Sequence, residues 1–443
     1  MAPLFSNLAS SDSALVHQPG NVLSCITLVA GTTVGAGILA LPAVTLPAGV
    51  VPSTVLMVGV WLYMVVTGLL IAEVNLYVMG QTGRPDVGLL ATIRWTLGKA
   101  GAIAAGTLYI FIHYALLVAY IARGGDILGA AIRNVDRLGI SAGVNAITAI
   151  PLETSLAWGH VVFVSLLGGL LYFGAQRFVA RLNTLLVATV VVAFVILLSL
   201  ILSQIEPSRW QVQHWEFASL AIPVMVVTFV YHNVIPIITT RLEVDGAKVR
   251  QAIVMGSLIP LVLFAVWNAV ILGCVSAEGT AEGAVDTIVD PVEILRREKE
   301  SLLLGSVVSV FSEVAIATSF IGFVYGLLNA FQDLLQPFSS RQVSPRIQKL
   351  FSYSLVLLPS LFFSFASSNI FFSAIDYAGA FGNAILFGII PALMAWQCRT
   401  QACDESLPCH SQLVPGHRVT LTVVIAFAAA VIVQNALIKT GLL

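Results

Sequence analysis

Charge is what this sequence has least of. Only 10% of its 443 residues are charged, against about 25% in soluble domains, which excludes a water-covered globular surface. The formal net charge is −1, so there is no basic field to hold nucleic acid, and no nucleic-acid partner is expected. Cysteine is scarce too. Its five copies lack the tight paired spacing of metal sites. Cys25 and Cys274 sit in apolar runs, and Cys398, Cys403 and Cys409 are spread along one polar stretch. Neither a metal nor a disulfide framework is expected. Also missing are a Gly-rich phosphate loop ending in Lys-Ser/Thr, a His-Glu-x-x-His and a Gly-x-Ser-x-Gly elbow. These absences argue against an enzyme, a cofactor and an ATP-driven pump. Residues 1–20 contain no Lys or Arg and show no signal-peptide or Arg-rich transit pattern.

What the chain has in quantity is apolar surface. Hydrophobic residues make up 58% of it, and its mean hydropathy is +0.95. A hydrocarbon core of about 30 Å needs roughly 20 apolar residues per helix. That ruler predicts spans near 22–46, 52–79, 101–122, 159–173, 182–203, 217–238, 251–275, 303–334, 350–366, 371–396 and 419–438. The expectation is an all-α membrane protein of eleven transmembrane helices, since in lipid each backbone group must be paired within its own segment. With the N-terminus inside, 13 of the 21 Lys and Arg residues fall on the inner side, and the outer 276–301 loop is acidic. The positive-inside rule therefore puts the N-terminus in the cytoplasm and the C-terminus outside, in a bacterial-type plasma membrane.

Two segments interrupt the apolar pattern. Span one reads Ala30-Gly31-Thr32-Thr33-Val34-Gly35-Ala36-Gly37-Ile38-Leu39-Ala40-Leu41-Pro42. Glycine costs about 1 kcal/mol and proline about 3 inside a helix, so the segment is either a close-packing face, with Gly31 and Gly35 in Gly-x-x-x-Gly spacing, or a break. Span six reads Thr228-Phe229-Val230-Tyr231-His232-Asn233-Val234-Ile235-Pro236, where His and Asn are costly facing lipid. Spans one and six each begin a set of five, residues 21–203 and 217–397, with a tail at 1–20, a cytoplasmic loop at 398–418 and the last helix within 419–443. Five is odd, so the second set starts on the opposite side. Interruptions at corresponding positions of an inverted repeat point to a transporter site at the midplane. A helix N-terminus unwound around Gly35 and Gly37 favours an anion, and freed carbonyls accept from an ammonium group. A zwitterionic amino acid satisfies both.

The motif at 30–42 resembles the first-helix signature of bacterial aromatic amino acid permeases, the tyrosine/tryptophan-specific group. Glu73 in Ala-Glu-Val, Tyr114 and Tyr120 in Tyr-Ala-Leu-Leu-Val-Ala-Tyr, Asn183, Phe-Val-Tyr-His at 229–232, Ala-Thr-Ser-Phe at 317–320 and Ile-Pro-Ala-Leu-Met-Ala-Trp-Gln at 390–397 have similar contexts there. His113, Asn233, Asn329 and Asp376 depart from the tyrosine permease pattern. The resemblance implies the amino acid–polyamine–organocation superfamily and its LeuT-type 5+5 inverted repeat with helices 1 and 6 broken. It also implies an ion-coupled symporter, usually proton-coupled, working by alternating access.

Site residues follow from these readings. Thr33, Gly35, Ala36 and Gly37 at the first break, and Phe229, Tyr231 and His232 at the second, are expected to bind substrate, with Tyr114 as an aromatic wall. In LeuT-type relatives adjacent hydroxyls such as Thr318 and Ser319 help bind sodium; Glu313, one turn earlier, is the expected proton carrier, because desolvation penalises an ionised carboxyl. Back-bonding to the preceding turn is the plain alternative for Thr318 and Ser319. Glu73 and Asn183 are assigned gating or structural roles, an Arg pair being the structural option for Glu73. The expected partners are an aromatic amino acid, a co-transported proton or sodium, and the bilayer. Alternatives are the same fold serving other neutral amino acids, or a non-transporting amino acid sensor.

Overall fold

A computed structural model describes residues 21–35, 37–84, 86–137, 152–275, 302–335, 344–367, 369–404 and 412–442. The tail 1–20, Ala36 and the acidic 276–301 loop lie outside the described residues. Among the described residues the structure is helical, with no strand. Among the described residues nine helical stretches are long and apolar enough to cross a membrane, with Trp215–Arg241 and Ile370–Thr400 each taken as one; a bent pair and a shorter apolar helix, Trp158–Phe173, accompany them. The protein is a multi-pass membrane protein.

The helices are α1 Val22–Thr33, α2 Gly37–Thr45, α3 Val50–Thr82, α4 Leu89–Arg137, α5 Leu152–Phe173 and α6 Gln176–Ile201. After a short helical turn at Trp215–Ala218 come α7 Ile222–Thr228, α8 Ile235–Arg241, α9 Gly246–Cys274, α10 Leu302–Leu335 and α11 Pro345–Ser364. The last are α12 Ile370–Tyr377, a π-helical stretch Ala378–Ile389, α13 Ile390–Asp404 and α14 His417–Lys439. Several run past the apolar ruler. α4 starts at Leu89 rather than 101 because its first turns are amphipathic, and the chain kinks at Gly98, whose φ of 71° suits a residue without Cβ. α11 starts at Pro345 because the Ser344 side chain caps it, accepting from the Ile347 N–H.

The chain forms two compact units. The first comprises Met1–Ile112, Pro207–Leu272 and Asp376–Leu443, the second His113–Glu206 and Gly273–Ile375. Each draws on both sequence sets, 21–203 and 217–397.

In the first unit, buried polar side chains tie the apolar helices together. Asn268 of α9 donates to Ser53 of α3 at 3.0 Å and accepts from Thr45 of α2 at 2.6 Å. Pro42 sits inside α2 and has no N–H to offer the carbonyl four residues back. That carbonyl, Ile38 O, takes the Trp267 indole N–H at 3.0 Å instead. Asn75 of α3 donates to Val87 O and Thr92 of α4 and accepts from Thr239 of α8. Each such bond contributes about 0.5–1.5 kcal/mol, and losing one partner strands the other in an apolar setting.

In the second unit, α10 packs along α6, with Phe311 against Phe194. The other face of α6 leaves Leu185, Val191, Val192 and Val195 exposed, as a lipid-facing helix does. Tyr353 of α11 donates to Leu171 O of α5 at 2.9 Å.

Candidate functional site

The first interrupted segment is a bend of 57° between α1 and α2. α1 ends at Thr33, whose hydroxyl donates to Val29 O at 2.8 Å. Val34 leaves the helix with ψ 104°. The chain re-enters at Gly37, where Ile38 N–H reaches Gly35 O at 3.2 Å. Ala36 lies outside the described residues.

The second interruption lies between α7 and α8. Phe229 and Tyr231 leave helical geometry, and His232–Val234 form a single 3₁₀ turn before Pro236 opens α8. The two breaks adjoin within the first unit. A Cβ placed on Gly37 would lie 2.9 Å from Thr228 Oγ1, so the start of α2 rests on the end of α7. Oppositely directed helix ends, those of α1 and α7 presenting carbonyls and that of α2 presenting N–H groups, are brought to one place.

The side chains of the second break are enclosed by protein. Phe229, Tyr231 and His232 are each 0% exposed, while Asn233 is exposed. Phe229 packs edge-on to Phe264 of α9 at 5.4 Å. The Tyr231 hydroxyl donates to Met64 O of α3 at 3.1 Å. His232 Nε2 lies 2.8 Å from Thr67 Oγ1. The Thr67 hydroxyl also donates to Met64 O at 3.2 Å, which makes it the acceptor for an Nε2–H. His232 Nδ1 is buried without a hydrogen-bond partner. Its ring lies between Tyr231 and Phe387, with centroids 4.9 and 5.0 Å away.

Glu73, on α3, is buried and gripped from several sides. Arg399 of α13 donates to both carboxylate oxygens, at 2.7 and 2.9 Å, and the Leu413 and Val414 N–H groups donate to Oε2 at 2.9 and 3.2 Å. The same guanidinium holds Val414 O at 2.8 Å. The cluster ties α3, α13 and the segment before α14. Asp376 is also paired, with Asn435 and Lys439 of α14 at 3.1 Å.

The other expected residues belong to the second unit. The Tyr114 hydroxyl donates to Leu355 O of α11 at 2.6 Å, and its ring meets Phe331 edge-on. Thr318 back-bonds to Ala315 O at 2.9 Å, and Ser319 hydrogen-bonds the Tyr120 hydroxyl. Glu313 Oε2 and Asn183 Oδ1 are buried with no hydrogen-bond partner. Among the described residues no three His, Cys, Asp or Glu side chains gather as metal ligands do.

Sequence reasoning missed Thr67, Asn75 and Asn268. For the two asparagines the signal was available, because a lone amide in an apolar run is costly facing lipid, as is the histidine that drew notice. What it lacked was a partner nearby in sequence: Thr67 and His232 are 165 positions apart.

Residues 19–435 match the sequence profile of the tryptophan/tyrosine permease family. The chain belongs to that family. It is 28% identical over 420 residues to the tyrosine-specific transport system 2 of Haemophilus influenzae, covering 94% of this chain and 96% of that one. It is 27% identical over 401 residues to the tryptophan-specific transport protein of Pseudomonas aeruginosa, covering 88% and 89%. A more distant relative, glutamine transporter 2 of Aliivibrio fischeri, is 22% identical over 382 residues, covering 85% and 89%. The family and these relatives are transport proteins, not enzymes.

Proposed function

We propose that this permease is a secondary active symporter that imports an aromatic amino acid, tyrosine or tryptophan, across a bacterial inner membrane by alternating access. The observation that carries this reading is the family match over residues 19–435, joined to tyrosine- and tryptophan-specific relatives aligned over most of their length.

The architecture in this proposal is a LeuT-type 5+5 inverted repeat plus one helix, eleven spans in all, with the N-terminus cytoplasmic and the C-terminus outside. In support, helical pieces interrupted at 34–36 and 229–234 adjoin in one unit. Polar ties draw α2, α3, α8, α9 and the His232–Val234 turn together there, as a bundle that rocks as one body requires. The substrate carboxylate meets the N-terminus of α2 at Gly35–Gly37, where the helix end supplies about half a positive charge. The ammonium group meets freed carbonyls beside Thr33 and Thr228. Tyr231 and His232 act here by fixing the shape of the second break, since both side chains are engaged with α3. Phe229 supplies aromatic surface there. The coupling ion is a proton carried by Glu313; Thr318 and Ser319 are the sodium alternative.

The test is competition for labelled tyrosine uptake in proteoliposomes. Tyrosine, tryptophan and phenylalanine should compete ahead of alanine, leucine and glutamine. The glutamine-transporting relative favours a second reading, a permease for a wider set of neutral amino acids. Equal competition by glutamine or leucine would establish that one instead.

A further inference from the structure

A cluster in the second unit has no part in the site described above. It joins Asp126 of α4, His160 of α5, and Ser364 with Phe365 at the end of α11. A Cβ on Gly159 would run into the Gly125 carbonyl, and one on Gly125 into the His160 ring. The α4 and α5 backbones therefore touch, and His160 reaches past the crossing. Its Nε2 lies 3.3 Å from Asp126 Oδ1 and its Nδ1 3.1 Å from Ser364 Oγ. The ring stacks on Phe365 with centroids 5.0 Å apart and planes at 21°. The side chain of His160 is 8% exposed and that of Asp126 39%. The pair has one enclosed end and one open end.

Counting hydrogens decides what the cluster holds. The single hydroxyl hydrogen of Ser364 is directed at Leu361 O, 2.7 Å away, so Ser364 receives a hydrogen from Nδ1. An ionised carboxylate only accepts, so the contact to Asp126 needs a second hydrogen, on Nε2. The full set of contacts thus requires one proton more than a neutral imidazole and a carboxylate carry. The count is the same if Asp126 carries that proton and donates it to Nε2. Without it, either a ring lone pair faces the carboxylate or Ser364 must give up its bond to Leu361 O.

We infer that His160 and Asp126 form a proton-binding site, separate from Glu313, whose occupancy clamps α4, α5 and α11 together. The proton enters from solvent through Asp126 and leaves the same way, with no other bond made or broken. Among the described residues the groups near the ring are few. α4 supplies Asp126 and, one turn earlier, Arg123, whose guanidinium lies 5.8 Å from the Phe371 ring centroid. α11 supplies Ser364 and Phe365, neither of them acidic or basic. On α5 the neighbouring Phe163 meets Phe320 of α10. In the proposed orientation this end of α4 is outside, where a proton-coupled importer loads.

The effect on transport rests on the symporter reading, so the test has two arms. In the first, labelled tyrosine exchange is measured in proteoliposomes with the same pH on both faces, across about pH 5 to 8. Exchange by the parent should fall with rising pH, by up to about tenfold per pH unit for one essential proton. His160→Gln should flatten that profile. A parent-like profile in His160→Gln overturns the inference. In the second arm, histidine-selective nitrogen NMR follows the His160 ring of the detergent-purified parent, identified by its absence in His160→Gln. Ring signals that change across the range support the site, and signals that stay constant overturn it. If the parent exchanges no amino acid, the symporter reading fails while the second arm still decides the clamp.

Discussion

Glu73 and Glu313 are both acids set in apolar helices, and the structure treats them in opposite ways. Glu73 receives charge-assisted bonds on both oxygens, from a guanidinium and from two backbone N–H groups. Glu313 has a buried oxygen with no partner at all. Apolar surroundings penalise a bare carboxylate heavily. A protein can meet that penalty with fixed donors, which makes the acid a permanent strut, or leave the acid to bind and release a proton. Hydropathy treats the two residues alike, and only their partners separate a structural acid from a candidate carrier.

The sharpest way to break this contrast is to remove the tie at Glu73. Glu73→Ala leaves Arg399 charged and enclosed, and breaking a buried pair from one side costs about 3–5 kcal/mol. Thermal unfolding in detergent should show that loss, and Arg399→Ala should lose a similar amount. The double variant should fall well short of the sum, because contacting partners are not additive. Additive losses would mean that the two residues stabilise the fold independently, and the strut reading would fail.

The second test takes the other acid. Glu313→Gln should leave stability nearly unchanged, since no partner is stranded, and its effect should appear in energetics of transport. One charge moved through 100 mV is worth about 2.3 kcal/mol, which at about 1.4 kcal/mol per tenfold drives roughly forty-fold accumulation. In sodium-free proteoliposomes an inward proton gradient should concentrate substrate. Glu313→Gln should retain exchange and lose accumulation. Uptake that needs sodium, survives Glu313→Gln and is destroyed by Thr318→Val would transfer coupling to the hydroxyl pair.

The sequence carried a good deal of this. Long apolar runs located the helices, since length and hydropathy alone decide what can cross a bilayer. Gly35, Gly37 and the His-Asn-Pro cluster marked the places where α1 gives way to α2 and α7 to α8, because those residue types destabilise a helix interior. Ends were less legible. α4 begins in an amphipathic stretch that hydropathy passes over, and α11 extends to a serine cap. Least legible were the partners. Glu73 and Arg399 are 326 positions apart, and nothing in either local sequence names the other. Tyr231 and His232 showed the same limit: their chemistry suggested a pocket lining, whereas their hydrogen bonds run to α3.

That last point yields the test of smallest expected effect. Tyr231 reaches the Met64 carbonyl only because Gly68 leaves room; a Cβ there would lie 2.8 Å from the Tyr231 hydroxyl oxygen and 3.1–3.2 Å from its ring carbons. Gly68→Ala forces the tyrosine off α3 and displaces the second break, an overpacking cost of about 1–3 kcal/mol. Because the break is the proposed substrate site, tyrosine uptake should weaken mainly through KM. Tyr231→Phe alone gives up one hydrogen bond, about 0.5–1.5 kcal/mol, and relieves the closest collision. Gly68→Ala combined with Tyr231→Phe should therefore transport better than Gly68→Ala alone, though short of the parent, since the ring carbons must still shift by a few tenths of an ångström. A residue that held the break by bulk alone would give no such rescue. A double variant no better than Gly68→Ala would show that Gly68 serves the packing of α3 rather than the placement of Tyr231. The second break would then owe its position to the bond between His232 and Thr67 instead.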